Sequence, residues 1–348
     1  MIAFIIRRLV ILPVIILGVT LITYAMFSLL SPAEQLAAYV SSPTQLHGGT
    51  AAVERLIHTY GLDRPIWERY LNWLDNIFHG KLGWSTYANM WVSQAIAAYF
   101  PATLELAIYS FIPVIIVGIW LGVLSAVKQN TIIDHLTRIM AILGWGFPSF
   151  VLAIFLILIF FGILGWFPPG RLSTWADLVV SNLTSFHFIR YTGLNTIDGI
   201  LNWRWDITWN AFRHLVGPVF TISFLEWAIL LRVMRASMLE VLRQDYVRTA
   251  RAKGLPERVV IKKHARRNAL ISAVTVGGLL VLGFFTGGAI TETVYNYRGL
   301  GYFFVFSATQ LDSAAIMGTA LVISGGVVLT NLIVDVLYAI IDPRVRLE

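Results

Sequence analysis

Cysteine is absent from this chain of 348 residues, which excludes disulfides, thiolate metal sites and cysteine nucleophiles, though it assigns no compartment. Charge is scarce too, at 13% of residues, against about a quarter in soluble domains. Nucleotide and hydrolase signatures are also missing: there is no G-x-x-x-x-G-K-[ST] loop, no H-E-x-x-H helix and no G-x-S-x-G elbow, and the seven histidines are scattered without ligand spacing. Gly287-Gly288 and Gly299-Leu300-Gly301 are too short to form phosphate loops. No catalytic, cofactor or metal site is expected, and any energy for work arrives from another polypeptide. The net charge of +7 has no soluble basic domain to carry it, so nucleic acid is not an expected partner.

What is present in excess is apolar sequence, 57% of residues, with a mean hydropathy of +0.73. Leu9–Ala33, Leu106–Val127, Ile139–Gly170, Leu270–Thr291 and Ser313–Val334 carry no charged residue, and Leu215–Leu231 is interrupted only by Glu226. Continuous runs near 20 residues indicate helices, whereas barrel strands alternate over about ten. The sequence therefore predicts an all-α polytopic membrane protein with six transmembrane helices. Arg7 and Arg8 before the first run place the N-terminus in the cytoplasm by the positive-inside rule. An even number of spans puts the C-terminus, with Asp335, Asp342, Arg344 and Arg346 near it, on the same side. The first run is too long for a signal-peptide core and lacks a small-residue cleavage site, so it reads as an uncleaved span.

Three blocks follow: residues 1–30 as cytoplasmic N-terminus and first span, 31–101 as an extracytoplasmic loop, and 102–348 as a core with five spans. Within the loop, Trp67, Tyr70, Leu71, Leu74, Ile77 and Phe78 recur at helical spacing between Gly61 and Gly80, predicting an amphipathic helix on the membrane surface or on the protein itself. The connection through Asp134, His135 and Arg138 is short and inside. In the third span Gly144-Trp145-Gly146-Phe147-Pro148 predicts a kink or break, either lining a path or packing on a neighbour. Glu226 in the fourth span faces a polar interior or a partner helix. Trp145, Phe147, Pro148 and Glu226 are the candidate residues of a translocation path. Leu164–Arg213 is a second large outside segment, rich in Trp, Asn, Asp and Gly.

One polar island breaks the apolar pattern. Residues 232–268 hold Arg232, Arg235, Arg243, Arg248, Arg251, Lys253, Arg258, Lys262, Lys263, Arg266 and Arg267, eleven of the 26 basic residues, against three acids. Leu239, Leu242, Tyr246 and Ala250 mark one face of a helix continuing from the fourth span. Gly254 permits the positive φ that ends it, and Pro256 suits the start of the next helix. In that second helix Arg258, Lys262 and Arg266 are spaced four apart and predict one basic stripe. A compact knob results, which either receives a cytoplasmic partner or rests on anionic membrane lipid.

These residues carry a resemblance. Arg248-Thr249-Ala250-x-x-x-Gly254 resembles the cytoplasmic loop motif of binding-protein-dependent ABC importer permeases, E-A-A-x-x-x-G, and Asp245 to Leu255 is more similar to the dipeptide and oligopeptide branch. Further similar segments, in order, are Arg7-Arg8-Leu9, Gly61-Leu62-Asp63-Arg64-Pro65-Ile66-Trp67, Pro101-Ala102-Thr103-Leu104-Glu105-Leu106, Gly299-Leu300-Gly301 and Asp342-Pro343-Arg344. The sequence departs from the family pattern at Arg248, which takes the acid position, at Ser272, where proline often stands, and in the length of Leu164–Arg213.

The resemblance implies a type I ABC importer-like permease in a prokaryotic cell membrane, pairing with a second homologous permease subunit, two ATPase subunits and an extracytoplasmic solute-binding protein. ATP and Mg are expected in the ATPase subunits, with no cofactor in this chain. Arg248, Thr249, Ala250, Gly254, Arg258, Lys262 and Arg266 become the expected ATPase-coupling residues. The cargo implied is a dipeptide or oligopeptide, with an oligosaccharide or a metal complex as alternatives within the branch. A non-transporting scaffold that recruits a cytoplasmic partner is a second reading. An intramembrane enzyme using Glu226 and Asp335 is a poor third, since the two acids fall at different depths and no second catalytic group accompanies them.

Overall fold

The computed structural model describes residues 2–40, 50–184 and 187–341, with side chains described there except at 2–9, 281–282, 284–287 and 337–341. The side chains of Arg7 and Arg8, and the terminal Asp342-Pro343-Arg344 and Arg346, lie outside the described residues. Helices α1 (Ile2–Ser28), α2 (Pro32–Leu36), α3 (Thr50–Thr59) and α4 (Ile66–Phe78) precede a hairpin of β1 (Trp84–Ser85) and β2 (Met90–Trp91). Then come α5 (Val92–Val127), α6 (Ile132–Gly146) and α7 (Ser149–Leu156), the last continued by a π-helical stretch, Ile157–Ile163. Helices α8 (Thr174–Val180), α9 (Asn195–Leu201), α10 (Trp205–Leu242), α11 (Asp245–Ala252) and α12 (Glu257–Val259) lead through a second π-helical stretch, Val260–Ala265, to α13 (Arg266–Val294), α14 (Leu300–Thr309) and α15 (Ser313–Ile341).

A helix covers every apolar run. Among the described residues, Val10–Ser28, Val92–Val127, Trp205–Leu242 and Ser313–Val336 are long and apolar enough to cross a membrane, and α6 with α7 makes a fifth if taken as one span bent by 107°. That bend has a local cause. Proline disfavours the helical region for the residue before it, and Phe147 is extended at φ −83° and ψ 126°, with Pro148 capping α7.

The helix starts differ from the sequence reading in informative ways. α5 begins at Val92, inside the stretch expected to be loop. α6 begins at Ile132, so Asp134, His135 and Arg138 belong to the helix and the connection shrinks to the turn after Val127. α10 takes in Trp205 and Trp209. Counting charge-free residues finds the apolar middle of a span; α6 and α10 run past it through charged residues such as Asp134, Arg213 and Arg235 that find partners, and α5 through the charge-free stretch Val92–Leu104.

The centre of the molecule is α5, α10 and α13, sharing one core that includes Leu106, Val114, Leu215, Leu230, Met234, Met238, Ala269 and Ala273. Two glycines one turn apart bring α5 onto α10. A Cβ at Gly118 would stand 2.9 Å from Leu230 Cβ, and one at Gly122 would stand 2.6 Å from Met234 Cβ. Small residues at this spacing let membrane helices approach closely where no hydrophobic effect drives them together.

The 31–101 region folds onto the ends of α1, α14 and α15. Trp73 and Tyr70 of α4 pack at a tilt against Tyr24 of α1, at 5.2 and 5.5 Å between ring centroids, and Thr20 Oγ1 lies 2.9 Å from the Tyr70 hydroxyl. The predicted stripe therefore splits: Tyr70 and Ile77 pack inward beside Trp73, which it did not include, while Trp67, Leu71 and Phe78 are exposed. Asp312 locks the hairpin, accepting from Ser85 Oγ at 2.7 Å and Tyr87 N–H at 3.0 Å, and its other oxygen accepts from Ala315 N–H at the start of α15.

Candidate functional site

The polar island folds as a knob at one end of the three-helix core. α10 does not continue through it as the sequence predicted. The helix stops at Leu242, and Gln244 is extended at φ −70° and ψ 150° before α11 begins. Gly254 then holds φ +74° with open space around its α-carbon, so glycine is needed there for the left-handed turn and not for room. Pro256 caps α12 at φ −56°.

A small apolar centre of Val247, Ala250 and Val260, backed by Val241 and Leu242, holds the knob together. Arg251 and Glu257 close the Gly254 turn with two bonds, Nη2 to Oε1 at 2.7 Å and Nε to Oε2 at 3.1 Å. That hydrogen-bonding guanidinium holds the Glu257 carboxyl below the usual glutamate value. Asn268 Nδ2, on α13, donates to the Tyr246 hydroxyl at 2.9 Å and ties α11 to the start of the next long helix.

The seven residues expected at this site divide by exposure. Arg248 is 71% exposed, with Asp245 3.5 Å away. Thr249, Gly254, Arg258, Lys262 and Arg266 are exposed as well, whereas Ala250 is buried in the knob's centre. Arg258, Lys262 and Arg266 follow one another from α12 through the π-helical stretch to the first residue of α13. With Lys263 and Arg267 they make a broad basic surface.

Besides Arg251, two more of the island's basic residues bind other helices of this chain. Arg235 reaches Asp134 of α6, which is fully buried, with Nε at 2.8 Å from Oδ1 and Nη2 at 3.0 Å from Oδ2. Ser125 Oγ, at the end of α5, donates to the same carboxylate at 2.6 Å, and Asn130 N–H adds a bond at 3.0 Å. Arg232 lies over the Trp145 ring, 4.7 Å from its centroid. The ends of α5, α6 and α10 nearest the knob are thus bound to one another.

The residues proposed for a path sit at one level of α10 on different faces. Gly144 packs against Ala228 and Phe224 O of α10, and the adjoining Trp145 and Phe147 are 64% and 38% exposed. Glu226 is half-buried on another side, its carboxylate facing Gly283 of α13. The structure does not gather the four into one cavity. Asp335 lines a cleft between α1 and α15, away from Glu226.

Sequence reasoning missed a buried polar lattice at the opposite end. Glu105 is 1% exposed. It accepts from Arg171 Nη2 at 2.8 Å, Thr196 N–H at 2.9 Å, Thr196 Oγ1 at 2.8 Å and the Tyr297 hydroxyl at 2.9 Å. Half a turn away Thr103 Oγ1 donates to Glu292 Oε1 at 2.6 Å and accepts from Leu300 N–H at 2.7 Å. Together these bonds fix the 164–204 region and the 295–301 turn to α5. Their signal was present in Pro101-Ala102-Thr103-Leu104-Glu105-Leu106 and Gly299-Leu300-Gly301, segments noted for likeness with no physical role attached. Among the described residues no group of His, Asp and Glu could hold a metal ion.

With this geometry in place, comparison with known proteins is direct. Residues 118–347 match the model of the binding-protein-dependent transport system inner membrane component family, and residues 1–107 match the model of its N-terminal region. The chain is 39% identical over 334 residues to a probable D,D-dipeptide transport system permease protein of Escherichia coli K12, covering 95% of this chain and 94% of the relative. It is 36% identical over 348 residues to a dipeptide transport system permease protein of Alkalihalophilus pseudofirmus, covering 99% and 100%. With an oligopeptide transport system permease protein of Bacillus subtilis it shares 35% over 347 residues, again 99% and 100%. Matched at both ends and along nearly its full length, the chain belongs to the family of binding-protein-dependent transport system inner membrane components.

Proposed function

We propose that this chain is one of two permease subunits of an ATP-driven importer of dipeptides or oligopeptides. It crosses the membrane six times with both termini in the cytoplasm, and it alternates access at the interface with its partner permease. A soluble binding protein delivers cargo to the outer face, and the knob formed by α11, the Gly254 turn and α12 is the part on which one of two ATPase subunits acts. The observation that carries this reading is the build of the knob: its own apolar centre and ion pair make it rigid, while Arg248, Thr249 and the basic surface stay exposed. Peptide cargo is preferred to oligosaccharide because the relatives above are all named for peptide transport. Bare lipid contact explains the basic surface but not the pinned turn.

Gly254→Val tests the reading. A β-branched residue at φ +74° costs about 1–2 kcal/mol and shifts α12 relative to α11, without a clash to disturb the spans. Membrane insertion should persist while substrate-stimulated ATP hydrolysis in the reconstituted complex falls several-fold. Gly254→Asn, which tolerates the left-handed region, should retain most of it. Full coupling in the valine variant overturns the assignment.

A further inference from the structure

The region before α5 contains a cleft that the coupling mechanism does not use. It measures about 700 Å³ and is lined, among others, by Tyr39, Arg69, Asn72, Trp73, Asp75 and Lys81. That volume lies in the range of small-molecule sites, about 300–1,000 Å³. α4 supplies its floor. Arg69, Asn72 and Trp73, and Asn76 follow one another at three- and four-residue steps, so they lie on one face of the helix.

Arg69 is held but not neutralised. Its Nη1 donates to Gln35 Oε1 at 3.1 Å and to Leu62 O at 3.2 Å, both neutral acceptors. Gln35 is itself buried and anchored by Nε2 to Leu30 O at 2.7 Å. Among the described residues no carboxylate lies within ion-pair distance of Arg69, and its Nε is buried with no acceptor. Arg69 is half-buried, so its guanidinium, fixed by neutral groups, keeps an uncompensated charge beside the cleft, where a carboxylate would be a favourable partner. Lys81 adds a second positive charge to the lining, and Asp75, 73% exposed, stands at the outer end.

We propose that this cleft binds a short peptide, with the C-terminal carboxylate on Arg69 and the terminal ammonium toward Asp75. The carboxylate supplies the missing counter-charge, and guanidinium–carboxylate bonds are among the stronger polar contacts. Asp75 is six residues along α4 from Arg69, about 9 Å at 1.5 Å per residue, and two to three extended residues cover about 7–10 Å. Asn72, between the two along α4, and Asn76, next to Asp75, stand to bond the peptide's amides, and Tyr39, Tyr60, Trp73 and Trp91 offer aromatic wall to its side chains. The site would hold cargo on the permease itself, outside the spans. This inference rests on the peptide reading above.

The test uses the assembled importer in nanodiscs without its soluble binding protein, and labelled alanyl-phenylalanine as probe. The dipeptide should bind saturably and its C-terminal amide at least tenfold more weakly. A diazirine-bearing dipeptide should label residues 60–91. Arg69→Gln should reduce the labelling at least tenfold. So should Asn76→Trp, which obstructs the cleft and leaves the Arg69 bonds to Gln35 and Leu62 in place. Equal binding of acid and amide, labelling confined to other segments, or parental labelling in a folded Asn76→Trp complex overturns the proposal. Acetate competing as well as the dipeptide also overturns it, leaving a simple anion site. Import of the same dipeptide, with binding protein and ATP present, is measured in parallel: import without labelling of the cleft rejects this site alone, and absence of import of any peptide rejects the cargo reading.

Discussion

The carboxylate of Asp134 offers the sharpest test of how the knob is attached. It is fully buried and receives Arg235 through two nitrogens at 2.8 and 3.0 Å, with bonds from Ser125 and the Asn130 N–H and the more exposed Arg138 3.9 Å away. Asp134→Ala removes one partner and leaves the Arg235 guanidinium, about a fifth exposed, without its counter-charge. Breaking a buried pair in this way costs about 3–5 kcal/mol, whereas losing one hydrogen bond to the charged group through Ser125→Ala costs about 1.5–3 kcal/mol. The double variant Asp134→Leu with Arg235→Met replaces both charges by apolar side chains and should recover most of the loss. Denaturant unfolding of the detergent-solubilised complex reads the stabilities, and substrate-stimulated ATP hydrolysis reads coupling. If the pair serves only stability, the double variant regains both. If it transmits motion from the knob to α5 and α6, stability returns and coupling does not. A loss below about 1 kcal/mol in Asp134→Ala would refute the reasoning, since the pair would then behave as a solvated surface contact.

Three further outcomes are expected. Glu105→Leu should destabilise the fold by about 3 kcal/mol or more, because it strands Arg171 and leaves the Tyr297 hydroxyl and two Thr196 donors without their acceptor; faster proteolysis within residues 164–204 checks it. Gly122→Leu should cost about 1–3 kcal/mol from overpacking against Met234, seen as a lowered melting temperature, while the same change at Gly146, where nothing lies within 4 Å, should be nearly neutral. For Glu257, the folded value lies below the ordinary 4.5, so its contribution is present above that value and lost as pH falls through the lower folded one. The pair is exposed, so the gain is small: Glu257→Gln should be about 0.5 kcal/mol less stable at neutral pH, and the difference should vanish in acid unfolding curves.

Local chemistry was legible in the sequence, and long-range pairing was not. The Gly254 turn, the Pro256 start and the break at Gly146-Phe147-Pro148 all follow from the allowed φ and ψ of glycine and proline, which neighbours along the chain reveal. Apolar runs likewise located every long helix. Long-range pairing, by contrast, was hidden, because nothing nearby shows that Arg235 is matched to Asp134, 101 positions earlier, or that Arg171 is matched to Glu105, 66 positions earlier. The ends of α6 and α10 were misplaced for the same reason: a charge at a span's edge looks like loop until its partner is known. Ala250, expected at a contact surface, turned out to be the knob's interior, since small apolar residues in a polar stretch do not announce which way they face.

One helix joins the two ends of the molecule. α10 runs for 38 residues from Trp205 to Leu242, about 57 Å at 1.5 Å per residue, nearly twice the hydrocarbon thickness of a bilayer at about 30 Å. Its first turns lie beside the lattice around Glu105, and its last turns carry Arg235 and the knob. In the proposed importer, a binding protein docked at one end and an ATPase at the other would both press on this rod, and a rod that moves as one body would link their affinities. If nucleotide-driven closure alters the affinity of the outer face for a loaded binding protein by some factor, docking of that protein must alter the closure equilibrium by the same factor. Measuring either quantity in the reconstituted complex fixes the other.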